Sequence, residues 1–491
     1  MANNTWSAVG ADNWSTDAAW SLGHKPQAGE DVIFDATSVQ NCTVDEASAA
    51  LGSFTIAVGY TGVFDDGGFA FTVAGAVSIT PGGTFTASGT WTQTVDANFT
   101  LADSGTPTIS SMSLVVQGSG TVAINPSYKR FANFTCGAPG KTTIWGGAGT
   151  GIGVSGTGAL TVGTGTLQLS GWFERTVTGT CTPIVCGGLI TGPAGINLEL
   201  RTGGDSAINI GALNMTTRLQ ITKRNEAGAA TINMSNNLTL SYLGLIWTGP
   251  GGGALIFNTN DNQIVCSGQV WWGSNGVGGT ITLNMGSSSI SCASFCATAL
   301  NDATSTQTLN MGSSQWTCTG VWTNQSNHTI VPGTSVVTFS GAAAQTVTTA
   351  GKSFANVTIT NSHAAGVTFV GAMISTGTFT FDSSGSAILV VFADTPAANV
   401  WTTVAQAGVN AVTITSTTPA TQFDVALTNP VPMLSYINVT DSNLTNGTIG
   451  VWDGTSTNGG NNSPNWLFVN PFSSSRLKST TGIAIGVGVG I

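Results

Sequence analysis

Three cysteines, Cys266, Cys292 and Cys318, stand 26 residues apart, and their neighbours repeat with them: Phe257, Leu283 and Leu309; Asn258, Asn284 and Asn310; Val270, Cys296 and Trp322. Period and register therefore both hold over three units. Repeats of about 20 to 50 residues mark solenoids, propellers or arrays. In FNTNDNQIVCSGQV, LNMGSSSISCASFC and LNMGSSQWTCTGVW, apolar residues alternate with polar ones, so each unit is made of strands rather than helices. A propeller blade needs about 40 residues or more, whereas roughly 26 suits one coil of a parallel β-helix. The expected fold is all-β: a right-handed parallel β-helix.

Composition fits stacked coils. Charged residues make up 7% of the chain, against about 25% in an ordinary globular domain. The chain holds 66 Gly, the residue that takes corners needing positive φ. A linker or disordered chain is also Gly-rich and poor in charge, but 41% hydrophobic content, 14 Trp and 21 Phe exclude it. Coils about 4.8 Å apart over most of the length predict a rod roughly 75 to 85 Å long. With 12 Lys and Arg and a net charge of −10, no clustered cations exist to track a phosphate backbone, so nucleic acid is not expected as a partner.

No run of about 20 apolar residues is present, so no membrane span is expected. The start, MANNTWSAVGADNW, has neither the basic nor the apolar region of a secretory signal. Met1 favours a protein that reaches its place of work without that pathway over one whose signal has been removed.

The eight cysteines form no CxxC pair, and no His stands at zinc-ligand spacing, so no metal is expected. The in-register trio is expected to form an inward ladder of inert thiols. Adjacent coils bring Cα atoms within disulfide range, which leaves a bond in an oxidising medium open.

Four regions follow. Residues 1–50, with Trp6, Trp14, Trp20, His24 and the acidic GEDVIFD, are expected to cap the first coil, whose bare edge would otherwise pair with other chains. Residues 51–434 read as strand, glycine turn, strand. Residues 435–468 close the coil stack, and 469–491 form a tail in which GIAIGVGVGI alternates apolar residues with Gly. An exposed apolar strand is an aggregation hazard, so the tail is expected to dock on a partner, a frayed terminus being the alternative.

Residues 337–369, VTFSGAAAQTVTTAGKSFANVTITNSHAAGVTF, resemble a coil module of phage structural proteins and bacterial surface β-helix proteins. The Trp-rich opening and SYINVTDSNLTNGTIGVWDGTSTNGGNNSPNWLF, residues 435–468, resemble the two ends of the same proteins. The resemblance covers about a quarter of the chain and is specific for architecture more than for activity. It implies a virion structural protein of a bacteriophage (fibre, spike or head decoration), commonly three-fold, working with other virion proteins. Two alternatives stand beside it: a bacterial surface adhesin and a polysaccharide lyase or hydrolase.

Sites for chemistry are few. GIGVSG, residues 151–156, has dinucleotide-loop spacing, but β-like sequence follows where a helix must start; GAPGKTT, residues 137–143, lacks the first glycine of a phosphate loop. Glycoside cleavage needs two carboxylates about 5 to 9.5 Å apart. Glu174 with Arg175, and Glu199 with Arg201, lie 25 to 26 residues apart and are expected to stack on adjacent coils, either as an exposed, self-offsetting charge ladder or as a lyase-type site. Asp65 and Asp66, before Gly67 and Gly68, read as a turn, and His24, His328 and His363 are too far apart for a triad. Glycan contact, if any, is assigned to outward rings among Trp247, Trp271 and Trp272, since one of an adjacent pair must point outward. The chain is expected to be non-enzymatic and cofactor-free.

Overall fold

Strand after strand shows the same alternation: in Asp31–Phe34, Val32 and Phe34 are buried, and in Ser53–Ile56 the same parity buries Phe54 and Ile56. One side chain in two enters the core, and the next stands on the outer wall. In the computed structural model the described residues are 1–468 except 103–105, 126–129, 147–152, 194–195, 225–227, 249–251, 275–277, 297–304, 395, 405–411, 428–433, 446–448 and 452–455.

The strands stack in parallel into a β-solenoid of about 16 turns. In its first part each coil contributes one strand to each of three sheets, of nine, five and seven strands; farther on, a 30-stranded sheet continues the stack. Core positions repeat from rung to rung. Val32, Phe54, Val77, Phe99, Val122, Trp145 and Leu169 form one such row, all buried. Each buried side chain of this size contributes about 1.5 to 3 kcal/mol, so the interior of the rod is its main source of stability.

The repeat trio falls in register. Cys266 pairs with Cys292 and Cys292 with Cys318 on successive parallel strands, and Phe257, Leu283 and Leu309 line up likewise. On the outer wall, Asn284 Nδ2 donates to Asn258 Oδ1 (2.8 Å), Asn310 Nδ2 to Asn284 Oδ1 (2.7 Å), and Asn258 Nδ2 to Asn233 Oδ1 (2.9 Å). The third expected row needs correction: Val270 pairs with Phe295, and Phe295 with Trp322, whereas Cys296 is displaced to φ 47°. The middle coil turns its corner with one residue fewer, because Phe295 stacks on Trp322 (4.2 Å) and meets Trp316 edge-on (5.5 Å). A ring fills that space better than a thiol.

The N-terminal segment both starts the stack and covers it. Asn3–Thr5 is the end strand of the nine-stranded sheet, and the chain then folds back along its free edge. The Ser21 amide donates to Thr5 O (2.9 Å), the Thr5 amide to Ser21 Oγ (2.9 Å) and the Ser7 amide to Ala19 O (2.8 Å). Buried Asn4 accepts from the Leu22 amide and donates to Glu30 Oε2 (3.1 Å). Trp20 packs edge-on against Trp6 (5.1 Å) and Trp14 (4.9 Å), closing the core beneath.

At the other end, Ile449–Val451 pairs with Trp466–Phe468, and buried Trp466 donates to Ser442 Oγ (3.2 Å). The expected docking tail, 469–491, lies outside the described residues.

Candidate functional site

Five neighbouring strands, Phe173–Cys181, Asn197–Ile210, Arg218–Arg224, Tyr242–Thr248 and Ile264–Ser274, carry the densest group of charged side chains in the body of the rod. Phe173, Leu198, Leu219, Leu243 and Val270 form their core row. The next position along each strand has the opposite parity: Glu174, Glu199, Gln220, Gly244 and Trp271 stack there, and two residues on stand Thr176, Arg201, Thr222, Ile246 and Gly273.

Glu174 and Glu199 therefore occupy successive rungs, as their spacing predicts. The rest of the expectation is corrected. Arg201 stands opposite Thr176, whereas Arg175 stands opposite Leu200. Nor is the ladder exposed: Glu174, Glu199 and Arg201 retain 2%, 3% and 8% of their accessible surface. Two carboxylates a rung apart repel by about 3 kcal/mol at an effective dielectric of 20, and burial adds to that cost. Two arginines offset it. Arg201 binds both carboxylates, through Nη1 to Glu174 and through Nε to Glu199 Oε2 (2.9 Å), and Arg130, from a strand two coils back, binds Glu174 Oε1. The Thr176 hydroxyl donates to Glu174 Oε1 (2.9 Å) and that of Thr222 to Glu199 Oε1 (2.7 Å), with Gln220 Nε2 at 3.4 Å from the same oxygen. Three of the four carboxylate oxygens accept hydrogen bonds, and the fourth, Glu174 Oε2, is buried with an ion-pair contact to Arg201 and no hydrogen bond. A general base or nucleophile needs a lone pair facing substrate, and both carboxylates are buried from solvent.

The three tryptophans assigned to glycan contact are buried. Trp247 points inward in a row with Thr202, Lys223 and Ser274, with Lys223 Nζ 5.8 Å from its ring centre; a Cβ on Gly279 would meet that ring at 2.4 Å, so only glycine fits there. Trp272 also faces the core, against Phe295 and His328. Trp271 points outward, as parity requires, but lies against Tyr242 and retains 6% of its surface. Sugar stacking needs an open face, and none of the three offers one. Among the described residues the tryptophan that does stand in solvent is Trp172, two positions before Glu174. Its place at a strand entry, outside the alternating run, gave no signal in the sequence.

Other polar groups inside the rod also escape a periodicity argument. Asp66 is fully buried and accepts five hydrogen bonds, from the amides of Gly68, Ser88 and Gly89, the Ser88 hydroxyl and Trp91 Nε1. It makes the expected turn, and it also ties that turn to the next coil. His328 and Gln307 are inward register partners, and His328 Nε2 and both amide atoms of Gln307 are buried without a hydrogen-bond partner. Burial, with a smaller contribution from Lys352, lowers the His328 pKa to about 4.

The segment 137–143 turns at Gly137 and Gly140, and Lys141 pairs with Asp96 (2.9 Å). Gly153–Val154, within the glycine-spaced segment, is a strand. Among the described residues no group of three His, Cys, Asp or Glu is placed to hold a metal ion, and no helix is long and apolar enough to cross a membrane. Comparison with protein-family models, with curated proteins and with solved structures returned no match.

Proposed function

We propose that this chain is a non-catalytic structural component of a bacteriophage virion, a rod serving as fibre, spike or head decoration. The observation that supports the absence of catalysis is the burial of Glu174 and Glu199, which retain 2% and 3% of their surface and are held by Arg130, Arg201, Thr176, Thr222 and Gln220. Such a cluster holds coils in register, since removing one partner strands a buried charge at a cost of about 3 to 5 kcal/mol. The assignment to a virion rests on the resemblance of the two ends and of residues 337–369 to phage β-helix proteins. A wall of Thr, Ser and Asn over an apolar core suits an assembly exposed to solvent along its length.

Two measurements test this reading. Purified protein incubated with acidic and neutral bacterial polysaccharides should release neither reducing ends nor unsaturated uronates; release that Glu174→Gln abolishes would make the chain a lyase or hydrolase. Antibody raised against the chain should decorate phage particles at a fixed position under the electron microscope. Label confined to a bacterial envelope would make it an adhesin instead.

A further inference from the structure

We propose that Cys292 and Cys318 form a site of reversible oxidation, a disulfide that staples two successive coils of the solenoid. The two residues are register partners on adjacent parallel strands. Their Cα atoms are thus one rung, about 4.8 Å, apart, within the range of about 4.4 to 6.8 Å that a disulfide spans. Both side chains are buried in the core, and of the groups around Cys292 it is Cys318 that does most to raise its thiol pKa. Cys266 stands one rung away on the other side of Cys292, but its sulfur is turned to Ser241 O (3.4 Å) and Gln269 O (3.3 Å), where the register shifts. The Cys318 sulfur also lies near carbonyls, Gly320 O (3.5 Å) and Val321 O (3.8 Å). The register between Cys292 and Cys318, however, continues unbroken from Ser289, and Cys318 acts on the Cys292 thiol more strongly than Cys266 does, so Cys318 is the partner proposed. Cys136 and Cys186 share a row too, but Val162 occupies the rung between them and keeps them beyond bonding range.

The oxidant is a small-molecule disulfide. One protein thiolate attacks it, forming a mixed disulfide and releasing one small thiol; the second protein thiolate then displaces the other. Two protons and two electrons leave the protein, and one small disulfide becomes two thiols. In the closed coil both cysteines are buried, so exchange takes place during folding or when these coils open. Once formed, the bond closes a loop over residues 293–317 and opposes further opening.

The test is to refold the protein with oxidised and reduced glutathione, or with reductant alone, and to compare the two products. Chymotryptic mapping should show Cys292 linked to Cys318 in the first product. Amide exchange over Ser289–Phe295 and Gln315–Cys318 should be about a hundredfold slower there, and added reductant should restore the faster rate. Cys266→Ser should behave as the natural protein, and Cys292→Ser and Cys318→Ser should lose both effects. The comparison of oxidised with reduced natural protein needs no variant, so it stands if one fails to fold. A Cys266–Cys292 link, no link, or a link that leaves exchange unchanged would overturn the proposal.

Discussion

Leu283 and Asn284 are neighbours in one strand, and they show how much a residue's place on the wall matters. Leu283 is buried between Phe257 and Leu309. Leu283→Asp puts an unpaired charge in the core and should lower stability by several kcal/mol in denaturant melts. Strand parity alone makes Asn284→Asp nearly free. The ladder changes that, because Asn284 Nδ2 donates to Asn258 Oδ1; an aspartate loses that bond and sets two oxygens face to face. We expect a cost of about 1 to 2 kcal/mol, clearly below that of Leu283→Asp; equal losses would mean the inner and outer faces are reversed. His328 gives a pH dependence. Its folded pKa of about 4 lies below the unfolded value of about 6.5, so the unfolded chain takes the proton first. The stability from burying a neutral ring is present above pH 6.5 and is lost as the pH falls towards 4, by roughly 3 kcal/mol in all. Other carboxylates titrate in part of that window, so the readout is the difference between the natural protein and His328→Gln. A variant that melts with the same pH profile as the natural protein would refute the assignment.

Coils and strands were the most legible level, because period 2 within a strand and period 26 between strands are both written directly in side-chain types. What the pattern lacked was corner length. The Cys296 row slipped because the middle coil drops one residue at its corner, a choice made by the stacking of Phe295 on Trp322 rather than by any local motif. The charge cluster was half visible. The spacing of Glu174 and Glu199 gave the rung, but Arg130 lies 44 residues before Glu174 in a two-residue strand, and only the wound coil brings them together. Burial of Trp271 was hidden for the same reason, since parity sets the direction of a side chain and not what covers it. At the N-terminus the expected cap was residues 1–50; within it, residues 19–22 satisfy the free edge of Asn3–Thr5, whereas Asp31–Phe34 and Cys42–Thr43 are strands of the stacked sheets. Deleting residues 1–24 should bare the Asp31–Phe34 edge. We expect a chain that keeps its β-sheet circular dichroism but self-associates, with light scattering rising with concentration. A monodisperse truncated protein would show that the edge is protected by some other means.

At the scale of the whole molecule, the surface is large and nearly uncharged. A compact monomer of this mass would expose about 17,000 Å², and this one exposes 19154 Å². The whole chain carries only 12 cations and 22 carboxylates, of which Asp66, Glu174, Glu199, Arg201 and Lys223 are buried. Stability in such a stack is a sum of coil and neighbour terms, so the ends of the rod are where it is most open to change. One end is capped by the chain itself. The other leads into a sequence whose Ile483, Ile485, Val487, Val489 and Ile491 alternate with Ala and Gly, and as a strand it would present one apolar face and one flat face that a neighbouring backbone can approach closely. An apolar strand left exposed would be an aggregation hazard, so we propose that it docks on a partner; the resemblance to phage β-helix proteins implies a three-fold one. We therefore expect light scattering to report three copies of the 49.6 kDa chain, and deletion of residues 473–491 to leave the solenoid's circular dichroism intact while the mass falls to that of one. An unchanged circular dichroism would show that a loss of assembly does not stem from unfolding. Should the truncated chain keep the full assembly mass, the broad neutral walls of the rod, and not its tail, must hold the copies together.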